Sequence, residues 1–587
     1  MKTILTTMTE SFEEAFIAAG YDAKYAKVTI SNRPDLCEYQ CNGAMAAAKQ
    51  YKCSPAQIAN AVVSKMNQSD IFSEITVVNP GFINLKVSDE FLSGYVDEMS
   101  KDEKFGCETA SHKKVVIDYG GANVAKPLHV GHLRSAVIGE AIKRLFKFMG
   151  DDVIGDVHLG DWGLQMGLII EQLRCNQPDL CYFDDSYTGE YPEEAPFTIS
   201  ELEKIYPEAS AKSKVDEEFK EKAQVATLEL QKGKPAYRAI WRHILSVSIE
   251  DLKKNYENLN VNFDLWKGES DAEEFIEDMV KSMIDNGFAH ESQGAMVVDV
   301  MEETDNKEIP PCIIQKSDGA ALYATSDLAT IIQRKRDFDP DEIIYVADKR
   351  QEMHFTQVFR TAKKTGILDD KCNLKFLGFG TVNGKDGKPF KTRDGGVMRL
   401  ETLILDINDA VYNKVRDNRD MSEEEAKTIS KIVGLSAIKY GDLSNQASKD
   451  YIFDTERFTA FEGNTGPYIL YTIVRINSIM KKFEESGKRV LDSALNIKLS
   501  SSEKSLMIEL SKFNMMIMQA YEELAPHKIC AYVYDLADAF NGFYHENKIL
   551  AESDEKRQNG FINLLAVTRR ALETAIDILG FNAPERM

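Results

Sequence analysis

VVIDYGGANVAKPLHVGHLRSAVIGEAIKRLFKFMG, residues 115–150, decides the fold. The apolar run VVIDY is short enough for a buried strand. After the glycine-bearing loop GGANVAKPLHVGH, apolar residues recur at helical spacing at Val137, Ile138, Ala141, Ile142, Leu145 and Met149, and Gly150 closes the helix. A junction of strand, glycine loop and helix start gathers unpaired backbone N–H groups at the positive end of a helix dipole, which suits a polyphosphate. His129 and His132, three residues apart, project from one turn. Gly131 between them leaves room for a base or ribose.

Outward from this unit, the strand-like segments VVIDY, DDVIGDV, AMVVDV, EIIYVAD and LKFLGFG alternate with helical patterns from Lys113 to about Phe379. The alternation predicts βαβ units on a parallel, Rossmann-type sheet. Residues 176–222 break the rhythm with acidic, proline-containing sequence and read as a surface insertion. Before the sheet, residues 1–108 read as a small α+β unit, with helices in NGAMAAAKQYK and SPAQIANAVVSKMNQ and strands in ITVV and FINLKV. From Met421 the pattern is helical almost throughout. The expected division is therefore 1–108, a catalytic unit over 109–400, a connecting region over 401–460 and an all-helical unit over 461–587.

A chain of 587 residues with 43% hydrophobic content is too long for one core. No apolar run is long enough to span a membrane, and MKTILTTMTESFEEAF meets acidic residues too early for a secretory signal, so the cytosol is the expected compartment. Nine cysteines show no paired CxxC spacing, so no zinc site is expected. A net charge of -23 excludes a globally basic nucleic-acid coat but leaves room for local basic patches.

HVGH resembles the HIGH motif of class I aminoacyl-tRNA synthetases, whose two histidines stabilise charge on the α-phosphate during adenylation. The longer run ANVAKPLHVGHLRSAVIG, continued by HLGDWGLQMG from His158 to Gly167, resembles arginyl-tRNA synthetases in particular. The resemblance implies adenylation of L-arginine by ATP with Mg2+, then transfer to the terminal ribose of tRNA(Arg), with the chain acting as a monomer. It implies ATP contacts from Val130 and Gly131 and, after the last sheet strand, from Gly380 and Val382.

Arginine offers a planar cation with five donors, which carboxylates and a hydroxyl match better than an apolar pocket. The family's arginine pocket maps here onto Asp118, Asn123, Tyr323, Asp327 and Gln351. The two aspartates and Tyr323 are expected on the guanidinium, and Asn123 and Gln351 on the α-amino and carboxylate groups. Taken singly, each has a plainer reading: Asp118 as a loop cap, Tyr323 as core, Asp327 as a helix N-cap.

The KMSKS loop of the class is absent. GKDGKPFKTRDGG, residues 384–396, stands in its place, with Thr392 flanked by Lys391 and Arg393 where the second lysine is expected. Lys385, Lys388 and Lys391 are expected to share the phosphate contacts on this glycine-rich loop, able to close over ATP. Residues 436–476 and the ending ILGFNAPERM resemble the family's anticodon-binding region, where Tyr468 and Tyr471 are candidates for stacking on bases. The amino-terminal unit resembles the part that docks on the tRNA elbow, where Phe82 and Asn84 share a strand face. Rival readings are another class I synthetase, such as the glutamyl or cysteinyl type, and a catalytically silent paralogue that binds tRNA.

Overall fold

A computed structural model of the chain describes residues 1–66, 70–107, 112–317, 321–388, 398–416, 421–489, 495–496 and 498–587. Its centre is a sheet of four strands in the order Asn373–Phe379, Glu342–Asp348, Lys114–Asp118 and Asp152–Asp156. All three pairings are parallel, and Asp118 lies between Tyr345 on one neighbour and Asp156 on the other. Alternate residues face opposite layers, as strand geometry requires. Val115 and Ile117 join the core that holds the helix Val130–Met149, while Val116 joins Leu328, Ala329 and Ile331 of the helix Tyr323–Phe338. The chain leaves Lys114–Asp118 toward Asp152–Asp156 and later adds Glu342–Asp348 on the other side. That reversal opens a crevice at the carboxyl ends of the two middle strands, where open α/β sheets bind ligands.

The helix Val130–Met149 ends on Gly150 at φ 101°, a left-handed cap that suits glycine. AMVVDV corrects the parallel-sheet expectation. Ala295–Val298 lies in a separate antiparallel sheet between His290–Ser292 and Cys312–Gln315. The reason is local: Gln293 and Gly294 both take positive φ, 53° and 82°, and close a two-residue hairpin that pairs the strand with its own neighbour.

The acidic stretch carries a 3-10 turn at Cys181–Phe183 and the helix Ile199–Lys212; that helix and the next, Glu217–Gln231, pack on Leu164–Asn176. Toward the amino terminus, Val28–Ile30, Tyr39–Cys41, Phe82–Val87 and Phe72–Val78 form an antiparallel sheet in that order. Toward the carboxyl terminus the long helices Glu423–Leu443, Gly466–Glu485, Pro526–Glu546 and Glu555–Ile578 dominate. Among the described residues no helix is long and apolar enough to cross a membrane.

Candidate active site

The crevice contains a cleft of about 450 Å3 lined by Gly120, His129, Val130, Gly131, His132, Gln351, Gly380 and Val382, among others. The structure thus brings together both histidines, the four residues expected at ATP and one expected at arginine. Gly131 N–H donates to Nδ1 of His129 at 3.0 Å, and His129 N–H donates to Nδ1 of His132 at 3.1 Å. Each Nδ1 is therefore an acceptor, so in the neutral ring the proton sits on Nε2, free to donate to an incoming oxygen. Burial pushes the His129 imidazole below its ordinary value, with the Lys126 cation adding to the effect. His132 is pushed down to about 3, by burial first and then by His129. Both act as neutral donors near pH 7.

Gly131 has a more local reason than the one expected. A Cβ there would come within 2.7 Å of the His129 ring, so the missing side chain makes room for the histidine. Gly380 is similarly tight, since a Cβ would meet Asp450 Oδ1 at 2.4 Å.

Asp118, Asn123, Tyr323 and Asp327 lie outside the lining of this cleft. Asp118 ends its strand and accepts from Arg334 Nη2 at 2.7 Å, and the same nitrogen donates to Asp156 at 2.8 Å. Asp327 sits 2.5 Å from Nε2 of His354. Tyr323 opens its helix and is 77% exposed, with its phenol uncommitted to the core. Asn123 bridges to Gly160, where a Cβ would meet its Oδ1 at 2.2 Å.

Sequence reasoning missed a group of acids around these residues. The segment after the strand Asp152–Asp156 pairs with Leu265–Gly268, through Asp156 with Leu265 and Leu159 with Gly268, which sets Glu269 beside His158 and Asp161. Burial raises the Asp118 carboxyl against the opposing pull of Arg334. Burial raises Asp161 as well. Glu269 is pushed up to about 7, by burial first and further by Asp161 and Asp327. Both ring nitrogens of His158 are buried with no hydrogen-bond partner among the described residues. Carboxylates outnumber cations in this group, so it favours either a proton or an arriving cation.

Residues 96–455 match the family model of the tRNA synthetases class I (R), catalytic domain, residues 469–587 that of the DALR anticodon binding domain, and residues 3–87 that of the arginyl tRNA synthetase N terminal domain. The chain is 60% identical over 597 residues to the arginine–tRNA ligase of Agathobacter rectalis, with 100% of both covered. The chain belongs to the class I arginyl-tRNA synthetases. A second relative, the arginine–tRNA ligase of Alkaliphilus oremlandii, is 56% identical over 588 residues, again with 100% of each covered. The crystal structure of the arginyl-tRNA synthetase from Plasmodium falciparum superposes with a TM-score of 0.83 at 25% identity, covering 100% of each chain.

In this arginyl-tRNA synthetase chain the described part of the lysine-bearing loop after Val382–Asn383 is tethered. Lys385 pairs with Asp454 at 3.3 Å, and Lys388 N–H donates to Asp386. Lys391, with Thr392 and Arg393, lies outside the described residues. Beyond the loop, Val130 N–H donates to Met398 O at 3.0 Å and Leu400 N–H to Leu128 O at 2.9 Å, which joins its far end to the HVGH segment. The inserted helix Ile199–Lys212 touches both partners: Glu203 pairs with Arg399 at 2.9 Å, and the Tyr206 ring lies 4.6 Å from Lys126 Nζ. Lys126 was legible as a cation three residues before His129, though not as one that bears on both histidines.

Phe82 and Asn84 share the half-exposed side of their strand, and Asn84 accepts from Gln40 at 2.8 Å. Tyr468 accepts from Asn541 at 2.8 Å, while Tyr471 is 39% exposed with the Arg475 guanidinium 4.8 Å from its ring.

Proposed function

We propose that the cleft and the acidic group beside it form one arginyl-adenylation site, divided by the end of the strand Lys114–Asp118. The enzyme is an arginine–tRNA ligase: it activates arginine with ATP and charges tRNA. In the proposed arrangement Val130, Gly131, Gly380 and Val382 surround the nucleotide, and His129 and His132 donate from Nε2 to the α-phosphate. Lys385, Lys388 and Lys391 meet the β- and γ-phosphates, and Mg2+ arrives as part of the ATP substrate. The guanidinium sits on Asp118 and Asp327 with Tyr323 over it, while Asn123 and Gln351 hold the α-amino and carboxylate groups. The observation that carries the reading is the excess of buried carboxylate around Asp118, which a guanidinium neutralises.

In the first step an arginine carboxylate oxygen bonds to the α-phosphorus as the bond to the β-phosphate oxygen breaks, and pyrophosphate leaves. In the second, the terminal 2′-hydroxyl bonds to the arginyl carbonyl carbon, gives up its proton, and AMP leaves. Positioning and charge stabilisation supply the rate without a protein nucleophile.

The division into an elbow-docking unit over 1–108, a catalytic unit over 109–400, a connecting region over 401–460 and an anticodon-binding unit over 461–587 belongs to the same proposal, with Phe82, Asn84, Tyr468 and Tyr471 on RNA. So does action as a cytosolic monomer without zinc, the last supported by the lack of cysteines paired at zinc-binding spacing. Asp327→Ala tests the arginine side. Its KM for arginine is expected to rise about 30-fold or more, as loss of a charge-assisted hydrogen bond implies; an unchanged KM removes Asp327 from the pocket.

A further inference from the structure

Tyr323, Asp327 and Arg334 recur at spacings of four and seven along the helix Tyr323–Phe338, so they share the face turned to the carboxyl edge of the sheet. We propose that Arg334 is a positioning residue for arginine selection: it fixes the Asp118 carboxylate so that its second oxygen faces the substrate cation. This rests on the assignment of Asp118 to the arginine subsite.

Three features separate this role from that of an ordinary structural bridge. First, one nitrogen, Nη2, serves both Asp118 and Asp156. A bridge built for stability alone would use the planar fork on one carboxylate. Second, the seal is one-sided. The side chains of Arg334 and Asp156 are 2% and 3% exposed, but that of Asp118 is 16% exposed, so the pair is closed behind Asp118 and open in front of it. Third, the guanidinium lies over the Tyr345 ring, 5.3 Å from its centroid, which limits its rotation.

The chemistry requires such a partner. A carboxylate at a strand end, out of water and among other acids, tends to take a proton, and a neutral acid would lose most of its attraction for a guanidinium. A fixed cation behind it opposes that proton uptake and holds the carboxylate plane in one orientation. Lysine in its place would keep the charge but lose the planar nitrogen that spans two acceptors.

The test uses the full-length enzyme, with Arg334→Lys, Arg334→Met and Asp118→Asn compared in steady-state charging of tRNA. Circular dichroism and thermal midpoints confirm folding. For Arg334→Lys, KM for arginine is expected to rise about tenfold with KM for ATP within about twofold, and Arg334→Met is expected to be worse. Should Arg334→Met fail to fold, the lysine variant carries the test alone. If Asp118→Asn raises KM for arginine while Arg334→Lys leaves it unchanged, the role of Arg334 is overturned. Equal rises in both KM values would make Arg334 merely structural and overturn it too. An Asp118→Asn enzyme with wild-type KM for arginine would instead overturn the assignment of the subsite on which the inference rests.

Discussion

Arginine binding is expected to release a proton, and the release should be traceable to Glu269. Its carboxyl is pushed up to about 7 by burial and by the neighbouring Asp161 and Asp327, so at neutral pH the free enzyme holds a mixture of neutral and charged forms. A guanidinium favours the charged form. If arginine binds that form alone, its apparent affinity follows the ionised fraction, about one-tenth at pH 6, one-half at pH 7 and nine-tenths at pH 8. The sign is therefore tighter binding as pH rises, with Kd about tenfold weaker at pH 6 than at pH 8 and little further change above. Titration calorimetry in two buffers of unlike ionisation enthalpy reads the protons directly, with about 0.9 released per arginine at pH 6 and about 0.1 at pH 8. Glu269→Gln should flatten both curves. A Kd that stays level from pH 6 to pH 8, or a slope that survives in Glu269→Gln, would refute the placement of Glu269 in the electrostatic field of the substrate.

The remaining expectations concern the phosphate side and the frame. His129→Asn should lower the rate of pyrophosphate exchange about 100-fold while leaving the Kd for arginine nearly unchanged, because in the proposed arrangement its Nε2–H donates to the α-phosphate. His132, held neutral down to about 3, makes folding weaken as pH falls from its unfolded value near 6.5, since the unfolded chain then takes up the proton first; His132→Asn should lessen the acid sensitivity seen in thermal midpoints. Arg134→Met should destabilise the enzyme by about 3–5 kcal/mol, read as an earlier urea transition, because it strands the fully buried Asp442 that pairs with it. Glu203→Ala should raise KM for ATP severalfold with KM for arginine unchanged, because it releases Arg399 at the far end of the lysine loop; equal KM values for ATP in variant and parent would dismiss the inserted helix as a brace.

The strand, the glycine loop and the helix at residues 115–150 were legible because each signal is local: apolar run, glycines, helical spacing and a closing glycine. The same locality misled at AMVVDV, where the strand was correctly seen but its partner depends on a two-residue turn upstream. Asp118 could be singled out by resemblance, yet its pairing with Arg334 joins residues 216 apart, and no periodicity encodes that. The seven-residue step from Asp327 to Arg334 was present in the sequence all along; without the sheet edge beside it, the step reads as one more charged helix face. Glu269 was invisible for a different reason. It gains its chemistry from burial beside His158, which follows from an irregular pairing outside the regular strands.

Arg134 shows why the histidines need a frame as much as a motif. It lies two residues after His132 on the same helix, and its guanidinium donates to Asp442 and to the carbonyls of Gly380, Ala447 and Lys449. Gly380 belongs to the cleft, while Asp442 ends the long helix Glu423–Leu443, whose Lys439 donates in turn to Gly580 O at 2.9 Å near the carboxyl terminus. One buried cation thus ties the start of the helix Val130–Met149, the lining of the cleft and the helix Glu423–Leu443 into a single joint. The helix Gly466–Glu485, which carries Tyr468 and Tyr471, packs on Glu423–Leu443, so a shift of it bears on the helix that holds Asp442. The phosphate side of the site is therefore expected to respond to the helical region, while arginine selection, built on Arg334 and the sheet edge, stays fixed.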